Sequence, residues 1–350
     1  MYKFLSALSV AGCLAAPALA QNQGPGNAGQ QPPPPPPAAG PGIASAQDVI
    51  LAPIGTPPAP GVVPVAAGST VTFTTPPGTV HTVVASFDPV TGVLLTGNGI
   101  TITASNITLN LNGNSILSAS NVAADGAALG LDVENAGIVV TGSNVKVTNL
   151  SGTQSKIENF TTNIDVAGNA FTLQGSVNGA AFNLLSGRSH GGGSLSVRGA
   201  NGALIRQVKL SDVDPLLGPV PPDAPIGGGV GLELRLTQNV QVRNCSITGQ
   251  AGGMLLRDSS GALIRNNAIQ SQLEDGVEVR NSFGSSIQNN TIQGNPGNGI
   301  TVRGDSGPIT ISGNVFGGNA GCDVQVVAGA QQISVNGTVI GLAGACLTGL

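Results

Sequence analysis

The sequence predicts an all-β solenoid with three short strands per coil, and two recurring patterns carry this prediction. The chain has 350 residues, of which 53 are glycine, and 40% are hydrophobic although only 9% are charged. Such a composition suits tightly turned β structure around a long core. The first pattern is a five-residue segment that recurs every 22 or 23 residues, at residues 231–235 (GLELR), 253–257 (GMLLR), 276–280 (GVEVR), 299–303 (GITVR) and 321–325 (GCDVQ).

The second pattern is a hydrophobic column that keeps step with the first. It consists of Val242, Ile264, Ile287, Ile311 and Ile333. Three positions later in each repeat comes a small polar column, Cys245, Asn267, Asn290, Asn314 and Asn336. A fixed period of this length is typical of stacked repeats. Apolar and polar residues alternate within each segment, which predicts strands with one face in the core.

The N-terminal part of the chain has a different composition. Residues 1–20 combine Lys3, an apolar stretch and a small-residue cleavage site, which predicts a secretory signal peptide. An alternative is a lipoprotein signal that ends at Cys13. Residues 21–60 are rich in Pro, Gly and Gln and are predicted to be a disordered linker. Residues 61–98 are predicted to be an N-terminal β cap, and residues 99–350 the solenoid.

The cysteines fit an exported protein. Cys322 and Cys346 lie 24 residues apart, about one coil, so they are predicted to sit on adjacent coils and to form a disulfide. Cys245 is predicted to be a small buried residue in the asparagine column. We expect a protein that is secreted or on the cell surface, with the periplasm as a further compartment.

The repeat resembles that of right-handed parallel β-helix proteins, the superfold of the pectate lyases. The resemblance covers residues 99–345 and rests on the period, on the asparagine column and on residues 106–116 (NITLNLNGNSI). It implies about nine coils of 22–24 residues. It also implies that the asparagine column marks the turn between the second and third strands of each coil. The GxxxR segments then form the first sheet, where related lyases place their substrate groove.

Outward positions on this first sheet form two columns of potential ligand-binding residues. One column contains Glu233, Leu255, Glu278, Thr301 and Asp323, and the other contains Arg235, Arg257, Arg280, Arg303 and Gln325. Stacked guanidinium groups repel one another unless anions neutralise them, and a carboxylated polymer would do so. The sequence therefore predicts binding of an acidic polysaccharide. The alternative is a noncatalytic structural or adhesive solenoid whose arginines pair with Glu233, Asp258, Glu278 and Asp305.

The resemblance to pectate lyases also implies β-elimination, although the enzymatic role stays open. It suggests Arg257 or Arg280 as the base and a Ca²⁺ ion held by Asp275 and Glu278, with Glu233 nearby. Other functions fit less well. A net charge of −4 argues against nucleic-acid binding, and the absence of Trp argues against stacking on neutral sugars. No later segment is long and apolar enough to cross a membrane, and we expect a monomer.

Overall fold

A computed structural model describes residues 39–119, 134–175, 182–186, 193–212, 229–340 and 345–350. These residues belong to one unit, Pro37–Leu350. The predicted signal peptide, Cys13 and residues 21–38 of the predicted linker lie outside the described residues. No helix among the described residues is long and apolar enough to span a bilayer.

The described secondary structure consists of β-strands. In chain order these are β1 (Ala39–Ile43), β2 (Val49–Pro53), β3 (Val62–Val65), β4 (Thr70–Phe73), β5 (Val80–Val83), β6 (Ser86–Phe87), β7 (Leu94–Thr96), β8 (Ile100–Ile102), β9 (Thr108–Asn110), β10 (Ser115–Ser118), β11 (Ala136–Val140), β12 (Lys146–Thr148), β13 (Ser155–Glu158), β14 (Thr162–Val166), β15 (Thr172–Gln174), β16 (Phe182–Ser186), β17 (Leu195–Arg198) and β18 (Leu204–Arg206). They continue with β19 (Val208–Asp212), β20 (Leu232–Arg235), β21 (Gln241–Arg243), β22 (Ser246–Thr248), β23 (Met254–Arg257), β24 (Leu263–Arg265), β25 (Ala268–Gln270), β26 (Val277–Arg280), β27 (Ser285–Gln288), β28 (Thr291–Gln293), β29 (Ile300–Arg303), β30 (Ile309–Ser312), β31 (Val315–Gly317), β32 (Val324–Val326), β33 (Ile333–Val335), β34 (Thr338–Ile340) and β35 (Ala345–Leu347).

Three long sheets form the solenoid, and from β8 to β31 each coil adds one strand to each sheet. Sheet 1 has the order β3-β2-β8-β11-β14-β17-β20-β23-β26-β29-β32-β35. Sheet 2 has the order β1-β4-β9-β12-β15-β18-β21-β24-β27-β30-β33-β34, and sheet 3 has the order β5-β10-β13-β16-β19-β22-β25-β28-β31. Neighbouring coils pair in parallel, as in β20 with β23 and β24 with β27. The predicted parallel β-helix with three strands per coil is confirmed.

Alternation of side chains builds the core. Val277 and Val279 point inward and are fully buried, whereas Glu278 and Arg280 between and after them are partly exposed. Equivalent residues stack across the coils, so the interior of sheet 2 is a dry column of Ile205, Val242, Ile264, Ile287 and Ile311. Burial of these side chains contributes about 25 cal/mol per Å² of apolar surface.

The glycine that opens each GxxxR segment lies at a crowded corner. A Cβ atom on Gly276 would lie 2.6 Å from Ile292 Cγ2 and 2.7 Å from the carbonyl oxygen of Gly299. Real side chains do not approach so closely, so the chain turns from sheet 3 into sheet 1 at a residue without a side chain. This explains why glycine recurs with the period of the coil.

Buried polar side chains form ladders at the corners of successive coils. At the corner between sheets 2 and 3, Asn267 Nδ2 donates to Asn290 Oδ1 at 3.0 Å, and Asn290 Nδ2 donates to Asn314 Oδ1 at 2.9 Å. Each Oδ1 also accepts from a main-chain N–H of the preceding coil. Cys245 begins this ladder, and burial raises the pKa of its thiol to about 11, so it is a buried residue rather than a reactive thiolate.

Two further ladders occupy the other corners. Side chains between sheets 1 and 2 accept hydrogen bonds from the main chain of the preceding coil, through Ser259, Ser282 and Ser306. Between sheets 3 and 1 the same role falls to Gln272, Asn295 and Asn319. All three corners of these coils therefore satisfy buried amides with side chains.

Both ends of the solenoid differ from the prediction. Strands β1 and β2 lie within the predicted linker of residues 21–60, and they bury Ile43, Val49 and Leu51 in the core. Strands β4 and β5, predicted to be a separate cap, pair in parallel with β9 and β10 and belong to the sheets themselves. The described part of the solenoid therefore begins at β1, because the apolar residues of these short strands face the core as those of the later strands do.

The last coil is displaced by two residues from the predicted register. Gln325, rather than Asp323, pairs with Thr301, and Val335, rather than Ile333, pairs with Ile311. Asn336 consequently lies outside the buried ladder. A shift of two residues keeps the same side chains facing inward, so the alternation of the sequence cannot distinguish the two registers.

The C-terminal end is closed by two antiparallel strands. Strand β34 pairs with β33, and β35 pairs with β32. The predicted disulfide is present: Cys322, before β32, is bonded to Cys346 in β35 with a Cα–Cα distance of 5.4 Å. The bond holds the closing strand against the last coil.

We predict that Asn290→Ala lowers the free energy of unfolding by about 2 kcal/mol. The change removes the acceptor of the buried Asn267 main-chain N–H, and an unpaired buried donor costs about 1–3 kcal/mol. Urea denaturation of the purified protein measures the loss. Asn289→Gly is the matched control, because Asn289 is exposed and has a φ of 54° that glycine adopts easily. Equal losses in both variants would contradict a stabilising role for the ladder.

Candidate functional site

Five arginines form one continuous column on the outer face of sheet 1. Arg235, Arg257, Arg280 and Arg303 are paired in register from coil to coil, as the sequence predicted. The structure adds Arg198, which pairs with Arg235. Neighbouring strands of a sheet lie about 4.8 Å apart, so this face presents one guanidinium group per coil.

Arg198 was missed because the spacing changes at that point in the chain. The LSVR segment of β17 is similar to the later segments, but its equivalent in β20 lies 37 residues further on instead of 22 or 23. A search for a constant period therefore leaves it out, whereas parallel pairing places it in the column.

The acidic partners neutralise the column unevenly. Glu278 bridges two arginines, at 2.8 Å from Arg280 and 2.8 Å from Arg303. Arg257 pairs with Asp258 at 3.3 Å, and the Arg198 Nε atom lies 3.8 Å from Asp165. Among the described residues Arg235 makes no ion pair, and neither do Glu233 and Asp305, which were predicted as possible partners. Within the described ranges four of the five arginines thus pair with three carboxylate groups.

The arginine side chains remain accessible. The exposed fractions for Arg198, Arg257, Arg280 and Arg303 lie between 36% and 47%. Exposed ion pairs of this kind contribute little to stability, about 0–1 kcal/mol each. A carboxylate from a ligand can therefore compete for these guanidinium groups at small cost.

Two depressions lie beside the column. One, of about 410 Å³, is lined by residues of sheet 1 and by the turns that precede its strands, among them Leu255, Glu278, Arg303, Glu274, Asp275 and Pro296. The other, of about 190 Å³, lies at the Arg198 end and is lined among others by Asn98, Glu134, Thr162, Asp165 and Arg198. The outer face of sheet 1 therefore has one depression at its Arg198 end and another beside strands β23, β26 and β29.

The residues predicted to hold Ca²⁺ do not fit a calcium site. Asp275 accepts hydrogen bonds from the main-chain N–H of Asn298 at 2.6 Å and from Thr301 Oγ1 at 2.7 Å. Both oxygens of Glu278 contact arginines. Calcium takes six to eight oxygen ligands, and no group of three or more Asp, Glu, His or Cys side chains within the described ranges could hold a metal ion.

One phenylalanine among the described residues is largely exposed. Phe283, in the turn between sheets 1 and 2, is 49% exposed. It lines a shallow depression with Leu236, Asp258 and Asp305. No periodic pattern marks this position, because the residue occurs in the turn of a single coil.

The stacked parallel sheets and the repeated corners define a right-handed parallel β-helix repeat protein. Residues 136–340 match the family model described as the right handed beta helix region. The match covers more than half of the chain, and the protein belongs to this family. The predicted fold and its handedness are confirmed.

Solved structures with a similar fold include three proteins. The A-module of the Azotobacter vinelandii mannuronan C-5 epimerase AlgE6 is 15% identical, with 80% of this chain and 88% of that chain covered and a TM-score of 0.42. A mutant of the periplasmic alginate epimerase AlgG is 14% identical, with 74% and 58% covered and a TM-score of 0.39. The Dettilon tailspike protein is 12% identical, with 80% and 62% covered and a TM-score of 0.42.

These similarities concern the fold alone. The chain spans 58% of the length of the AlgG structure and 62% of the tailspike structure. A comparison with curated protein sequences gave no match.

We predict that Glu278→Gln lowers the free energy of unfolding by about 1 kcal/mol at low salt. The substitution leaves Arg280 and Arg303 stacked without their shared carboxylate, and the loss should shrink in high salt because ions screen the repulsion. Urea denaturation at two ionic strengths measures both effects. Glu233→Gln is the control, because Glu233 makes no ion pair among the described residues. A loss of the same size at both ionic strengths would contradict the electrostatic account.

Proposed function

We propose that the protein binds an acidic polysaccharide along the outer face of sheet 1. The column of five in-register arginines carries the proposal. A guanidinium group binds a carboxylate through two parallel hydrogen bonds. A linear uronate polymer that lies along the solenoid axis would meet one guanidinium group at each coil.

The charge balance of the column supports this proposal. Among the described residues three carboxylates pair with four of the five arginines, and Arg235, the second arginine of the column, has no ion pair. The five guanidinium groups of the column thus outnumber the three carboxylates that pair with them among the described residues, although the chain as a whole has a net charge of −4. A local excess of this kind attracts an anionic ligand to one face.

Cleavage of the polymer is a separate matter from binding. Arg257 and Arg280 remain the candidate bases for β-elimination, but both are paired with carboxylates, and arginine stays protonated in proteins. The residues predicted to hold Ca²⁺ do not fit that ion. The arrangement therefore supports binding better than catalysis.

A noncatalytic structural or adhesive solenoid is the second candidate. The ion pairs of Asp258 and Glu278 favour it, because they already neutralise Arg257, Arg280 and Arg303 in part. In either case we propose a secreted or cell-surface protein. The disulfide Cys322–Cys346 is compatible with a location outside the cytoplasm.

We predict that Arg257→Gln/Arg280→Gln weakens binding of a uronate polymer by about tenfold. Each substitution removes a charge-assisted contact and keeps a side chain of similar length. The measurement is titration of the protein with polygalacturonate and with alginate by calorimetry, with absorbance of unsaturated sugar ends recorded to detect cleavage. Glu278→Gln should have the opposite effect and bind severalfold more tightly, because it releases two arginines.

Lys156→Gln/Lys209→Gln is the matched control. It removes the same number of cations from sheet 3, and we expect the affinity to change little. An equal loss in both double variants would show only a general effect of net charge. Absence of binding by the unmodified protein would reject the proposal in favour of the structural solenoid.

A further inference from the structure

A second arginine column lies on the outer face of sheet 2. Arg206, Arg243 and Arg265 are paired in register on strands β18, β21 and β24. Gln174 precedes them and Gln288 follows them in the same column. Sheet 1 and sheet 2 together therefore hold eight of the 13 basic residues of the chain in two columns.

The second column has no acidic partners on its own sheet. The sequences of the strands in sheet 2 contain no Asp or Glu. Within the described ranges none of the three arginines makes an ion pair. Sheet 1 differs, because Asp165, Glu233 and Glu278 stand among its outward residues. Like charges at such distances repel by about 1 kcal/mol per pair in water, and a bound anion would relieve this repulsion.

The surroundings of the column suit a sugar polymer. The three arginines are partly exposed, and Leu204 and Leu263 stand in the adjacent outward column, also partly exposed. Arg206 Nη2 donates to Gln174 Oε1 at 2.7 Å, which holds the first guanidinium group in place. The face thus combines a line of cationic donors with the partly exposed amide of Gln288 and short aliphatic surfaces.

We infer that sheet 2 is a second anion-binding face and that it takes a carboxylated polysaccharide chain. The two columns lie on different sheets, so one molecule can hold two polymer chains and cross-link them. The cross-linking rests on the proposed function of sheet 1, whereas the binding site on sheet 2 does not. The strands that carry the three arginines contain no aromatic residue on which nucleic-acid bases could stack, so we assign a polysaccharide rather than a nucleic acid.

The experiment compares three double variants of the full chain. Arg243→Gln/Arg265→Gln alters sheet 2, Arg257→Gln/Arg280→Gln alters sheet 1, and Lys156→Gln/Lys209→Gln alters sheet 3. Calorimetry with a short uronate oligosaccharide counts the bound ligands, and light scattering with long polygalacturonate measures cross-linking. We expect two ligands per chain for the unmodified protein and the sheet 3 variant. Each of the other variants should bind one ligand and lose the scattering increase.

The outcomes separate the two proposals. If the sheet 2 variant still binds two ligands and scatters like the unmodified protein, the second site is rejected. If the sheet 1 variant binds like the unmodified protein while the sheet 2 variant loses binding, the proposed function of sheet 1 fails and the site on sheet 2 stands. A single-stranded DNA that displaces the oligosaccharide from sheet 2 at equal concentration would reject the polysaccharide assignment.

A second variant tests whether a loss of binding comes from misfolding rather than from the loss of the guanidinium groups. Arg243→Lys/Arg265→Lys keeps the charge but loses the planar fork of donors, so we expect binding on sheet 2 that is weaker by a few fold. All variants should unfold at the same urea concentration as the unmodified protein. Unchanged affinity in the lysine variant together with full loss in the glutamine variant would mean that charge alone determines binding, and the bidentate geometry would be rejected.

Discussion

Hydrogen bonds between the buried side chains at the corners hold successive coils in register. A solenoid must turn sharply three times per coil, and each turn brings main-chain amides into the core that the sheets cannot pair. Asn290, Ser282 and Asn295 supply acceptors for these amides in the coil before them. Because each ladder joins one coil to the next, a coil can stack only when its corner residues meet their equivalents.

Because the coils are in register, a residue that recurs once per coil forms a column on the surface. Once the corners are aligned, a residue that faces outward on one coil lies directly beside its equivalent on the next. A repeated arginine therefore becomes a line of guanidinium groups, as in Arg235, Arg257 and Arg280. Like charges would oppose such stacking in an isolated sheet, but the dry core and the ladders stabilise the coils enough to tolerate it.

The two arginine columns differ in what surrounds them. On sheet 1 the carboxylates of Asp165, Asp258 and Glu278 offset part of the charge. On sheet 2 the neighbours in the column are the amides of Gln174 and Gln288. The outer face of sheet 1 is thus partly neutralised, whereas the strands of sheet 2 carry no acidic residues. The affinities of the two faces for anions should therefore depend differently on salt concentration.

The sequence by itself determined the period, the inward and outward faces and the asparagine ladder, because each is a local pattern repeated along the chain. It also predicted the disulfide and four of the five arginines on sheet 1. Tertiary structure decided the register of the last coil, since a shift of two residues preserves the alternation. It also placed Arg198 in the column and β1 and β2 in the core, and it revealed the column on sheet 2. These features depend on which coils lie next to one another. A fixed sequence spacing cannot predict that arrangement where the loops differ in length.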